Sequence, residues 1–67
     1  MKPNIEFMQS VIENLPRLPD SMLEIKLHNA RKLLEDNENE FMQKYYEEVV
    51  ETCENVIVER KKKVEVA

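Results

Sequence analysis

Apolar residues along the chain recur at spacings of three and four in three separate stretches. The first holds Ile5, Met8, Val11, Ile12 and Leu15. That spacing puts them on one face of a helix, and Asn4 before it is a good N-cap. Pro16 disfavours helical geometry at the residue before it, so the pattern predicts a short helix over 5–14. The second stretch repeats Leu23, Leu27, Ala30 and Leu34, with Met22, Ile25 and Leu33 on its flanks. Ser21 followed three residues later by Glu24 reads as a capping box, which places this helix at 22–35. The third stretch repeats Met42, Tyr46, Val49, Cys53 and Val56, widened by Tyr45, Val50 and Ile57. It predicts a helix over 40–62, with Arg60 to Lys63 complementing the dipole at its end.

The connectors complete the expected architecture. Leu15-Pro16-Arg17-Leu18-Pro19-Asp20 reads as a stiff elbow in which both leucines are pushed toward extended geometry. Pro16-x-x-Pro19 also has the form of a polyproline ligand, but the motif is four residues long and common by chance. Asp36-Asn37-Glu38-Asn39 is a short break, in which Asn37 or Asn39 can cap the next helix. A break of this length makes the second and third helices an antiparallel hairpin. The fold class expected is all-α: a short N-terminal helix, a proline elbow, and a helical hairpin with a long third helix. Val56-Ile57-Val58 are all β-branched, so the end of that helix is expected to be its weakest part, with residues 63–67 as an unstructured tail.

The chain has 67 residues, so it is read as one small domain. It contains no glycine. Phosphate-cradling loops and tight hairpin turns depend on glycine, which argues against P-loop and dinucleotide folds and against β-sandwiches. The longest apolar run is Val56-Ile57-Val58, far below the roughly 20 residues of a membrane span. The start, Met1-Lys2-Pro3-Asn4, lacks the apolar core of a secretion signal, and a lone cysteine suits a reducing compartment. The expected location is the cytoplasm, with no membrane contact.

Helix lengths supply an argument about partners. The third helix would span roughly 34 Å and the second roughly 21 Å. On that arithmetic the far half of the third helix, with Val49, Val50, Cys53, Val56 and Ile57, is too long for its own chain to cover. The sequence therefore predicts a homodimeric bundle joined through those five residues.

Charge is segregated as well. Residues 35–59 carry nine acidic side chains against the single base Lys44, and Arg60-Lys61-Lys62-Lys63 follows directly. Glu40, Glu47, Glu51 and Glu54 form a ridge opposite the apolar stripe. The bland reading is a solvated helix face. The sharper one is a surface for a basic partner, with Tyr45 as an anchor, including a nucleic-acid-binding site occupied in imitation of phosphates. The basic run, joined by Arg31 and Lys32 if the dimer brings them together, is the counter-reading as a contact to nucleic acid. Four charges without an aromatic platform in a net acidic chain do not favour it.

Candidate chemistry is sparse. His28 is the one histidine and lies four residues after Glu24, where a charged pair can form. Cys53 sits on the apolar stripe with Glu51 and Glu54 nearby, which opposes thiolate formation and favours a buried small hydrophobe. An intermolecular disulfide is its alternative role. There is no Glu-x-x-His pair of the di-metal bundle type. No catalytic group, metal site or cofactor is expected. The function expected is a small non-enzymatic protein–protein interaction module acting as a homo-oligomer: a regulator, adaptor or inhibitor.

Overall fold

The computed structural model describes the backbone over residues 4–66 and the side chains over residues 4–63. Among the described residues the architecture is all-helical: α1 (Ile5–Asn14), a turn of 3-10 helix (Leu15–Arg17), α2 (Asp20–Asp36) and α3 (Glu40–Val66). The start of the chain, where a leader would be sought, lies outside the described residues, as does Ala67.

Local chemistry explains most of the boundaries. The Asn4 side chain accepts from the Phe7 amide at 3.0 Å and opens α1 as expected. Asn39 accepts from the Phe41 and Met42 amides at 2.9 and 3.2 Å and opens α3. The connector before it is held by asparagine instead of glycine. Asn37 Oδ1 accepts from the Asn39 amide at 2.8 Å, and Gln43 Nε2 donates back to the Asn37 carbonyl at 2.6 Å. No described residue has a positive φ, so a chain without glycine loses nothing at this turn.

Two boundaries differ from the pattern. α2 begins at Asp20, not at residue 22, and Ser21 makes no cap; the Pro19 carbonyl instead accepts from the Met22 and Leu23 amides, both at 3.0 Å. The locked φ of Pro19, at −66°, starts the helix before Ser21 can act as its cap. α3 runs on past residue 62 to Val66, so the backbone expected to be an unstructured tail is helical over 63–66. The β-branched triad does not break it, because Val56 and Ile57 pack against the core. Tertiary burial outweighs a few tenths of a kcal/mol of propensity per residue.

The elbow departs from the expectation most clearly. Leu15 is not extended; it adopts φ −53° and ψ −43° ahead of Pro16, and its accessible surface is 0%. Leu18 does take the extended geometry, at φ −78° and ψ 147°. With residues 15–17 in a helical turn, Pro16-x-x-Pro19 is an elbow and not an extended polyproline ligand.

α2 and α3 pack along their lengths as the antiparallel hairpin, while α1 leans on α3 and the elbow. The buried cluster is Leu15, Leu23, Ala30, Val49 and Cys53, surrounded by half-buried Ile12, Leu18, Leu27, Tyr45, Val50, Val56 and Ile57. This corrects the reading of the third helix. Val49 is 5% exposed and Cys53 0%, both covered by residues of the same chain. Val50, Val56 and Ile57 pack against the same cluster. The arithmetic failed because it counted only helices. The early start of α2 and the two elbow leucines extend the cover over the far half of α3. The length mismatch therefore gives no reason to place a second copy on these five residues.

Arg60 locks the elbow onto α3. Its guanidinium donates to the Leu18 carbonyl at 2.6 Å and the Pro16 carbonyl at 2.9 Å, and it pairs with Asp20 at 2.5 Å. Asp20 is largely exposed, so the ion pair itself is worth at most about 1 kcal/mol. The two carbonyl bonds from a charged donor carry more. Arg60→Ala should lower unfolding stability by about 1–3 kcal/mol, against less than about 0.5 kcal/mol for Lys61→Ala at an exposed position. Urea denaturation followed by circular dichroism distinguishes them, and equal midpoints would mean that the clamp contributes nothing.

Candidate functional site

The acidic ridge is placed as the spacing implies only in part. Glu40, Glu47 and Glu51 stand exposed on α3. Glu54 does not stand free: Arg31 of α2 donates to its carboxylate at 2.9 Å. One residue assigned to a protein partner and one assigned to nucleic acid thus hold each other across the hairpin. The basic run is likewise divided, since Arg60 is committed to the elbow and Lys62 lies 3.7 Å from Glu59. Lys61 and Lys63 are exposed.

Tyr45 is not part of the ridge. It is half-buried against the core, with its ring centroid 5.3 Å from that of Tyr46 at a tilt of 52°. It belongs instead to an open groove between α1 and the first half of α3. Ile5, Met8 and Ile12 line the α1 side, and Phe41, Lys44, Tyr45 and Glu48 the α3 side, around a volume of about 200 Å³. Phe41 and Tyr45 share a helix face, which was legible in the sequence, and that face meets α1. The groove is not closed over. Ile5 remains 54% exposed and Phe41 46% exposed at its lips. The apolar spacing put Ile5 on the buried stripe of α1 and gave no sign that it would stay half uncovered, while the sequence left Phe41 open between packing on α1 and standing exposed as an anchor. Glu48, next to the ridge in sequence, was passed over for the same reason.

A second hollow lies on the other side of α1, lined in part by Val11, Lys26, Asn29, Leu33 and Tyr46. Its α2 wall sets Lys26 and Asn29 beside Ala30 and Leu33. The most exposed large apolar side chain is Phe7, at 65%. It lies one turn before Val11 on the same face of α1.

His28 is exposed, and among the described residues it forms no ion pair with Glu24. No group of three His, Cys, Asp or Glu side chains among the described residues is arranged to hold a metal ion. No described helix is long and apolar enough to cross a membrane. These features define a small three-helix protein, counted over the described residues, with an open apolar groove. Comparison of the chain with protein-family models, with curated proteins and with solved structures gives no match in any of the three.

Burial raises the Cys53 thiol above its ordinary value of 9.0, opposed by Lys26 and assisted by Glu54. Burial also raises the Tyr45 hydroxyl above 10.0, with Tyr46 adding to it. Both groups are neutral when protonated, and the unfolded chain gives up these protons at lower pH than the folded one. Their contribution to stability is full below the ordinary values and is lost as pH rises through the raised ones. The urea midpoint should therefore fall as pH rises past about 9, and Tyr45→Phe should flatten the part of that fall above about pH 10. In the folded protein at neutral pH the thiol should react with an aromatic disulfide reagent only at the rate of unfolding. Rapid reaction without denaturant would place Cys53 at the surface.

Proposed function

We propose that this chain is a small protein–protein interaction module without catalytic activity, serving as a regulator, adaptor or inhibitor, and that it docks its partner in the groove between α1 and α3. The observation that supports this reading is the groove itself. Two large apolar side chains, Ile5 and Phe41, stand half exposed beside Tyr45 and Met8 in one concave strip. Scattered surface apolar residues need no explanation, but a continuous strip bordered by charge is the usual form of a contact site. Tyr45 in its wall is the kind of aromatic anchor that concentrates binding energy.

The alternative chemistries have less to work with. A buried thiol held protonated is a poor nucleophile. An arginine tied to three groups of the elbow is a poor phosphate ligand. The expected acidic docking face is moved by this reading, from the outer ridge to the α1–α3 side, where Glu48 takes the place given to Glu54. It keeps Tyr45 as the anchor.

Capture from native lysate tests the assignment when three proteins are compared. Ile5→Ser and Phe41→Ser should each reduce recovery of the same partner by about tenfold or more, as loss of a large apolar anchor does. Ile25→Ser, at an exposed apolar position on α2, should leave recovery unchanged. All three should melt close to wild type, since exposed substitutions cost about 0.5 kcal/mol or less. Equal recovery by all three would remove the groove from the binding surface.

A further inference from the structure

The charges around the groove say what kind of segment it accepts. On α1, Gln9 lines the groove, and the exposed Glu6 and Glu13 lie three residues before it and four after it along the same edge. On α3, Glu48 lines the groove and exposed Glu51 follows three residues later. Lys44 is the one base among these positions. No ion pair among the described residues occupies Glu6, Glu13, Glu48 or Glu51. Four carboxylates thus border an apolar strip about 10 Å long, the rise of residues 5 to 12 on a helix. That is two turns of helix, the length over which anchors at i, i+3 or i+4, and i+7 can engage.

We infer that the groove takes an amphipathic helix of a partner protein, with its apolar anchors set against Met8, Ile12 and Tyr45 and with Lys or Arg along both flanks. The inference rests on the groove's being the docking site proposed above, and it adds the chemistry of the occupant. Like charges facing an acidic rim cost affinity, so an acidic or neutral helix of the same shape is discriminated against. A second copy of this chain does not fit the description. Its own residues 35–59 carry nine acidic side chains against one base, so a second copy would set carboxylates against the acidic rim.

The test uses three designed helices of about 15 residues with leucine on one face. The other face carries lysine, glutamine or glutamate. Each is titrated into the full chain labelled with nitrogen-15, and backbone amide shifts locate the contact. The lysine peptide should bind with shifts centred on residues 5–12 and 41–48. Its affinity should exceed that of the glutamine peptide by about tenfold or more and should fall steeply with salt, as exposed charges are screened. Ile5→Ser should weaken it by about tenfold and Leu33→Ser, in the other hollow, should not. Glu13→Gln with Glu48→Gln should narrow the gap between the lysine and glutamine peptides.

Equal binding of the glutamine and lysine peptides in the groove would overturn the basic occupant while leaving the docking site standing. Stronger binding of the glutamate peptide there would do the same. Shifts confined to Glu40 and Glu47 would mean adsorption to the ridge and would sink the inference. Absence of groove shifts with all three peptides would remove the docking site along with its occupant. Concentration-dependent sedimentation with shifts at the same residues in the free protein would assign the groove to a second copy.

Discussion

The elbow at Leu15–Asp20 is the constraint on which the other packing depends. A residue before proline is pushed away from helical geometry, yet Leu15 is helical there and wholly buried. The burial of one leucine, worth about 1.5–3 kcal/mol, outweighs the local preference. Because Leu15 turns inward and Leu18 is extended, the chain leaves α1 and re-enters α2 within a few residues. The two elements then contact different parts of α3. Arg60 closes the arrangement from the opposite side by binding the carbonyls of Pro16 and Leu18. Those carbonyls belong to neither α-helix, and the one long side chain that reaches them sits on α3 beside the start of α2.

The same elbow explains what could and could not be foreseen. Asn4 and Asn39 act on amides two or three residues away, so both helix starts were legible from short-range chemistry. The antiparallel hairpin followed from a connector too short to permit anything else. Cover over the far half of α3 was a different kind of question. Helix lengths measure only what helices can shield, and the residues that completed the core were a leucine in a 3-10 turn and a leucine in an extended linker. Val49 and Cys53 were read as apolar, and their own chain covers them, so helix length is no argument for a second chain there. Arg60 was hidden by its neighbours. In a run of four bases nothing in the sequence marks one as a structural donor, and only the forty-residue step back to Asp20 reveals it.

The groove is a consequence of economy in α1. Ten residues can bury one narrow strip, and Met8 with half-buried Ile12 uses it, continued by Leu15 of the 3-10 turn. Ile5 and Phe41 lie at the margins of that strip, where neither helix has width left to cover them. Enlarging α1's apolar face would close the gap at the cost of Gln9 and Glu13, the residues that keep its outer edge wet. The half-open geometry is thus built into the division of α1 between core and solvent.

Charge then decides what such a gap can do. An apolar strip in a neutral surface is as ready to aggregate as to bind, whereas carboxylates on both sides repel other copies of the same acidic region. At a net charge of −4, with every base of α3 except Lys44 in the run Arg60 to Lys63, the groove lies at the acidic end of that helix. Self-pairing there sets carboxylate against carboxylate, while a helix of opposite charge gains steering and specificity at once. Exposure of Ile5 and Phe41 and the acidity around them are therefore one feature, since the second makes the first tolerable in a protein this small.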